Sequence, residues 1–353
     1  SSSRGLGDVY KRQGNKVTME DTHVSLAHGN GGRYMRELIR EVFARHLSNP
    51  FLDIDADAAV LPWAGEGELV FSTDGFTVQP IEFPGGNIGS LAVHGTTNDL
   101  AVAGAQPKYL SLGVLLEEGL EFAVLDRVVA GIAAAARETG VTVAAGDTKV
   151  VRRGEGGGIY LNTAGIGVKD PALKLGLSEV REGDVVIVSG PVGDHGIAVM
   201  LAREQFGLRG ELQSDAASVL PLTRKLVELP GLRFMRDPTR GGLATVAHEI
   251  VHASGLGVTL DEQAVPVRDP VRSVCEMLGY DPYYLACEGR VVAVVDPADA
   301  ANALTAMRGE PCGAEAAIVG ATRADVKRVV LRTSIGGERV LEELEDDPLP
   351  RIC

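Results

Sequence analysis

Three stretches place acids where strands give way to turns or helices. STDGF carries Asp74, TTNDLA carries Asn98 and Asp99, and GDTKVV carries Asp147, Thr148 and Lys149. If those ends meet on one edge, Asp74, Asp99 and Asp147 supply hard oxygen ligands for Mg2+, and Lys149 neutralises phosphate oxygens. That is the chemistry of a nucleoside-triphosphate site, where catalysis is mostly positioning and charge stabilisation. Taken singly, each acid serves equally well as a turn former or helix cap, because Asp accepts bonds from unpaired N–H groups in both roles. Only convergence separates the two readings.

Glycine-rich turns form a second set. HGNGG (28–32) precedes a helical pattern. Gly29, Gly31 and Gly32 permit a tight turn whose N–H groups cradle phosphate, and His28 and Asn30 add directional contacts. An ordinary glycine-rich helix start fits the same residues, and a Walker A loop would need GxxxxGK[ST]. GPVGDHG (190–196) and RDPTRGG (236–242) each set glycines and an acid before a helix. In the second, Arg240 beside Gly241 and Gly242 can pair with phosphate, although two structural strand-to-helix turns explain both motifs. His195 is a candidate general base in a setting that also suits a plain turn. ACEGR sets Glu288 in an apolar run; a dry cleft there would raise its pKa and suit it to proton transfer. Its neighbour Cys287 has no orienting base in the sequence and reads as a small buried cysteine. His248 and His252 lie four apart on one helix and can share a metal. No third ligand has the right spacing, so a solvated helix face is the expectation.

These residues need elements to carry them. MRELIREVFARHL has the spacing of an amphipathic helix, ELVFSTDGFTV reads as a strand bearing Asp74, and IGSLAVHGTTNDLAVAGA as a helix bearing Asn98 and Asp99. The strand KYLSLGVLLEE, the helix FAVLDRVVAGIAAAARETG and the strand VTVAAGDTKVV follow, which indicates an α/β body. The rhythm changes at about residues 168–171. An N-terminal domain over 17–170 and a C-terminal α+β domain over 171–334 are therefore expected. In the second, DVVIVSG feeds a Gly/Pro loop and a helix, DPTRGG opens another helix, YYLACEGRVVAVVD reads as strand, acidic turn and strand, and VKRVVLRTS reads as a strand. Residues 335–353 are expected to form a flexible tail, because Pro348 and Pro350 each lack an N–H and restrict the preceding residue. The polar opening, residues 1–16, reads as a disordered or non-native leader.

Composition narrows the function. With 45% hydrophobic and 23% charged residues in 353, the chain has the make-up of a globular protein. A formal net charge of -14 leaves no cationic excess to displace the counterions of a nucleic acid. No apolar run of about 18 residues is present to span a membrane. The four cysteines contain no CxxC pair, which signals neither a zinc knuckle nor a secreted disulfide framework; a reducing, cytoplasmic setting is expected. Cys353, the last residue, is placed to be a redox accident, a metal ligand or a covalent carrier. A prenylation signal would need three residues after it.

In this order, HGNGG, STDGF, TTNDLAVAGA, GDTKVV, GPVGDHG, RDPTRGG and PRIC resemble the HypE family of hydrogenase maturation proteins, the carbamoyl dehydratases of nickel–iron hydrogenases, over nearly the whole chain from Val17 to Cys353. The glycine and aspartate motifs are shared with the wider superfamily of aminoimidazole ribonucleotide synthetase and selenophosphate synthetase, whereas PRIC narrows the match. The resemblance implies an aminoimidazole ribonucleotide synthetase-like fold of an α/β and an α+β domain, with sheets of two copies paired in a homodimer. It implies ATP between the domains, held by His28, Gly29, Asn30, Gly31, Gly32, Asn98, Thr148, Lys149, Arg240, Gly241 and Gly242, with Mg2+ on Asp74, Asp99 and Asp147. Cys353 would receive a carbamoyl group from the carbamoyltransferase HypF. Lys149, Glu288 and His195 would assist its dehydration, and the cyanide would pass to iron on the HypC–HypD complex. Two other readings use the same motifs: a small-molecule kinase or selenophosphate-synthetase-like enzyme that has no need of Cys353, and a nonenzymatic scaffold that recruits partners by its tail.

Overall fold

The computed structural model describes residues 32–38, 40, 55, 59–61, 65–203, 211–347, 349 and 351–353. The leader, His28 to Gly31, Pro348 and Pro350 lie outside them.

The first sheet has five strands: β1 (Ala59–Leu61), β2 (Glu68–Phe76), β5 (Gln106–Glu117), β6 (Thr142–Val151) and β7 (Ile159–Lys169), in the order β1-β2-β7-β5-β6. All neighbours are antiparallel except β5 and β6. A parallel pair needs a crossover, which α3 (Phe122–Thr139) provides. The short strands β3 (Glu82–Phe83) and β4 (Gly86–Asn87) form a ribbon leading into α2 (Ile88–Val102). Asn87 caps that helix by accepting from the N–H groups of Gly89 and Ser90 at 2.9 and 3.0 Å, while Ser90 Oγ accepts from Asn87 N–H, a reciprocal capping box. On β2 the alternation sends Val70, Ser72 and Phe76 inward, so Asp74 shares the inward parity. The helix expected for MRELIREVFARHL is described as α1 (Gly32–Leu38).

The second sheet runs β14-β13-β10-β12-β8-β11-β9. Its strands are β8 (Val185–Val188), β9 (Leu232–Arg236), β10 (Gly257–Asp261), β11 (Val292–Val295), β12 (Ala317–Arg323), β13 (Val329–Arg332) and β14 (Glu338–Val340), and only β10 and β13 pair in parallel. The helices are α4 (Asp194–Ala202), α5 (Leu220–Leu226), α6 (Gly242–Ser254), α7 (Asp269–Leu278) and α8 (Ala300–Arg308). Three expectations change here. PYY forms a single 3-10 turn over Pro282–Tyr284, because Pro282 offers no ladder donor and Asp281 captures Tyr283 N–H at 3.2 Å. Asp194 and His195 belong to the first turn of α4, not to the loop before it. Part of the supposed flexible tail is strand β14, and its end is packed: Leu349 and Ile352 are buried in the same core as Phe76, Ile88, Ile197 and Leu285.

That core draws on the first sheet and α2 and α3, and on α4 and α7 of the second domain. A second one joins Ala101 and Val102 of α2 to Leu220 and Leu222 of α5. Asn98 locks the junction: its amide nitrogen donates to the carbonyls of Ala217 (3.0 Å) and Glu288 (3.3 Å), and Oδ1 accepts from Val219 N–H at 3.0 Å. No helix among the described residues is long and apolar enough to cross a membrane.

Candidate active site

The end of the chain is held against the first domain by backbone and side chains together. Cys353 O accepts from both the N–H and the hydroxyl of Thr77 at 3.1 Å. Arg351 O accepts from Arg203 Nη2 at 2.5 Å, and Arg203 Nε donates to Gln79 O at 2.6 Å. Ile352 O lies 2.8 Å from His195 Nε2, and His195 Nδ1 lies 2.7 Å from Ser214 Oγ. A carbonyl can only accept, so Nε2 carries the proton and Nδ1 takes the Ser214 hydroxyl. Burial pushes His195 down to about 4; it is neutral, and both ring nitrogens are occupied. The ring ties the tail down: one nitrogen faces Ile352 O and the other Ser214.

The docked Cys353 lies among charges. Burial pushes its thiol up to about 12; Arg240 opposes the shift, and Glu288, Asp74 and Asp347 add to it. Arg240 in turn is held above its ordinary value chiefly by Cys353, with Asp74, Glu288 and Asp347 contributing, and its guanidinium stands 3.8 Å from Asp74 Oδ1. Glu288 is 3% exposed. Desolvation first, then Asp237 and Asp74, drive its carboxyl well above the usual range, and Oε1 is buried with no hydrogen-bond partner among the described residues. Asp74 is likewise raised by burial, against Arg240. Among the described residues, the pocket thus brings together the Arg240 cation, several carboxyls competing for it, and the thiol.

Local sequence fixes these groups. Glu288 sits on a turn before β11, its N–H donating to Asp215 Oδ1 at 3.1 Å, while Arg290 Nε braces Asp215 Oδ2 at 3.3 Å. A side chain at Gly289 would run into the Asp215 carbonyl, so CEGR requires its glycine. Gly242, at φ 58°, starts α6 so near the Tyr283–Leu285 turn that an added Cβ would lie 2.6 Å from Leu285 O. This close approach sets Arg240 at the pocket, and Gly241 caps α6 at φ 73°.

The three sequence-predicted metal acids do not converge within one chain. Asp74 and Asp99 share a region: Ser72 Oγ, on the inward parity of β2 with Asp74, donates to Asp99 Oδ2 at 2.5 Å. Asp147 is on β6. The register runs Asp74 to Thr163, Thr163 to Leu112 and Leu112 to Gly146, so three strand spacings of about 4.8 Å put β6 roughly 14 Å from β2. Asp147 and Lys149 are 71% and 70% exposed and pair with each other at 3.1 Å. Thr148 lies between them on the same strand. Gly32 begins α1, where Arg33 N–H donates to Leu344 O at 2.8 Å. Asn98 is spent on the domain junction and is 1% exposed. Thr77, Gln79, Arg203, Ser214 and Asp347 escaped sequence reasoning; Leu349 and Ile352, set among the polar residues and prolines of DDPLPRIC, were the available signal that the end docks.

Residues 55–169 match the N-terminal domain and residues 181–332 the C-terminal domain of AIR synthase related proteins. The chain belongs to that two-domain class, as the paired sheets indicate. Carbamoyl dehydratase HypE of Azotobacter vinelandii is 46% identical over 340 residues, covering 96% of this chain and 99% of the relative. A crystal structure of a HypE–HypF complex superposes with a TM-score of 0.82 at 42% identity, over 87% of this chain and 99% of its own. One of HypE in complex with ATP gives 0.78 at 44% identity, over 93% and 99%. Within the class, the chain is a member of the HypE family of carbamoyl dehydratases, and it is an enzyme.

Proposed function

We propose that this enzyme uses ATP to dehydrate a carbamoyl group on the Cys353 thiol to a thiocyanate, supplying cyanide for nickel–iron hydrogenase assembly. The observation that carries the assignment of residues is the docking of Cys353 in the pocket of Arg240, Asp74 and Glu288. A thiol pushed to about 12 is protonated at neutral pH and a poor nucleophile. Loading with carbamoyl therefore belongs to the undocked tail, where the thiol regains its ordinary acidity. The loaded group, S–C(=O)–NH2, is neutral and suits the desolvated pocket better than a thiolate does.

In the docked state the amide oxygen attacks the γ-phosphorus of ATP, ADP departs, and the nitrogen loses one proton. Phosphate then leaves carbon as the nitrogen loses its second proton, giving S–C≡N. Glu288 is the proposed proton acceptor in its ionised form, which desolvation makes a strong base. Arg240 stabilises charge on the transferred phosphoryl oxygens. The acidic side chains of Asp74 and Asp99 are the donor type that Mg2+ requires; bound there, it would neutralise phosphate charge.

Asp147, Thr148 and Lys149 enter this reading from a second copy. Strand β6 has β5 as its one neighbour among the described residues, and Leu115, Val129, Val143 and Val150 are exposed on or beside it. An open apolar edge of this kind invites pairing. A homodimer through β6 covers it and carries Lys149 toward phosphate. HypF is the proposed carbamoyl donor, as the complex of its relative suggests, and an iron-bearing HypC–HypD complex the acceptor. The four cysteines are unbridged, in keeping with a reducing cytoplasm. Cys353→Ser leaves a hydroxyl protonated at neutral pH, so carbamoylation should fall below detection by intact mass while the fold persists. A kinase or scaffold reading expects ATP-dependent chemistry, or partner capture, indifferent to that change.

A further inference from the structure

At the root of the tail, α6 carries H-E-I-V-H (248–252), and Glu343 supplies a partner that sequence spacing did not reveal. Ligand atoms of His248, His252 and Glu343 all lie within 4.8 Å of one another, and His252 Nε2 is 3.3 Å from Glu343 Oε2. Two donors on a tetrahedral ion at about 2.1 Å each stand roughly 3.4 Å apart, so this pair is already at ligand spacing. His248 is buried, and its Nε2 lies 3.0 Å from the Leu341 carbonyl. That contact fixes the ring tautomer with the proton on Nε2 and leaves the lone pair on Nδ1, the outer-shell arrangement common to metal-bound histidines. We propose that His248, His252 and Glu343 form a structural site for a divalent transition ion of the Zn2+ type.

Site geometry argues for a clip and against hydrolysis. In a zinc protease the glutamate of H-E-x-x-H is the general base; here Glu249 is paired with Arg236 at 3.2 Å. Glu343 also holds the Arg36 guanidinium of α1, so the ion competes with a cation for that carboxylate. The clip joins α6 to the segment where the tail leaves β14. Leu341 and Leu344 are there bound to His248 and Arg33, and Glu342 O accepts from Tyr284 Oη at 2.7 Å. The ion would set the pivot from which Cys353 swings.

The full chain, reduced and nucleotide-free, is titrated with Co2+ while its visible ligand-field bands are recorded, and Zn2+ is used to displace it. One Co2+ per chain with intense four-coordinate bands is expected. His252→Ala, on an exposed side chain, and Glu343→Gln, a near-isosteric change on a half-buried one, should each weaken it at least about tenfold, whereas Cys353→Ser and Cys312→Ser should not. Arg36→Ala should tighten it. No uptake by the unaltered chain, uptake unchanged in His252→Ala and Glu343→Gln, or uptake lost with either cysteine would overturn the site.

Discussion

The pocket around Cys353 and the edge strand β6 carry the two halves of one proposed reaction in opposite environments. In the pocket, Glu288 and His195 are buried, and desolvation is the first cause of the shifts of Glu288, His195, Asp74 and Cys353. On β6, Asp147 and Lys149 are solvated and satisfy each other. A charge in water does little to a phosphoryl group, because the solvent dielectric screens it. On the proposed reading, the contrast teaches that one chain prepares the thiol end of the chemistry, while the phosphate end would need a second chain to be desolvated.

Glu288→Gln breaks the buried half. Dehydration of loaded Cys353 should slow by about 10²- to 10⁴-fold, while loading itself stays normal. The same change sharpens a stability effect. The folded-state pKa of Glu288 is raised, so the native state binds more protons than the unfolded one, and stability falls as pH rises from the unfolded value of 4.5 toward the folded one. Denaturant midpoints measured across that range should flatten in the variant; a steeper dependence would contradict the assignment.

Lys149→Ala tests the exposed half and should cost about 10²- to 10³-fold in single-turnover dehydration. Mixing it with Cys353→Ser chains gives a sharper outcome. Alone, the first is slow and the second inactive, but mixed dimers that unite the tail of one chain with Lys149 of the other should regain turnover. Continued inactivity of verified mixed dimers would place Lys149 with its own chain.

Smaller effects test the holding of the tail. His195→Ala removes the donor to Ile352 O, so alkylation of Cys353 should quicken by about tenfold, the worth of one hydrogen bond. Asp347 has a docked pKa pushed up by burial to about 6 from 3.8. Docking therefore favours its protonated form and weakens as pH rises from 3.8 through 6. Tail release, read by limited proteolysis after Leu344, should increase modestly across that window and lose its pH dependence in Asp347→Asn.

Much of this was legible in the residues. Asp74, Asp99 and Asp147 were proposed from acids read at element ends and Glu288 from the apolar run around it; the structure sets Asp99 inside α2 and Asp147 inside β6, and it puts the glycines of RDPTRGG before α6 as read. What one chain's sequence could not convey was sheet order: β7 and β5 come between Asp74 and Asp147, a separation set by long-range pairing. Asn98 was placed at the nucleotide by the resemblance alone; that its amide closes a domain junction depends on a partner 119 residues away, which no local motif displays. Glu343 escaped for the same reason, since its nearness to His252 exists only after β14 turns the chain back onto α6.

The central claim is that Cys353 carries the group that is dehydrated. The most direct measurement is intact and peptide mass spectrometry of the HypF-carbamoylated chain before and after Mg-ATP. The expected result is a carboxamide on Cys353 that loses the mass of one water. A carboxamide that persists on Cys353 with active ATP turnover, or a thiocyanate that forms on Cys287 after Cys353 is removed, would contradict the account.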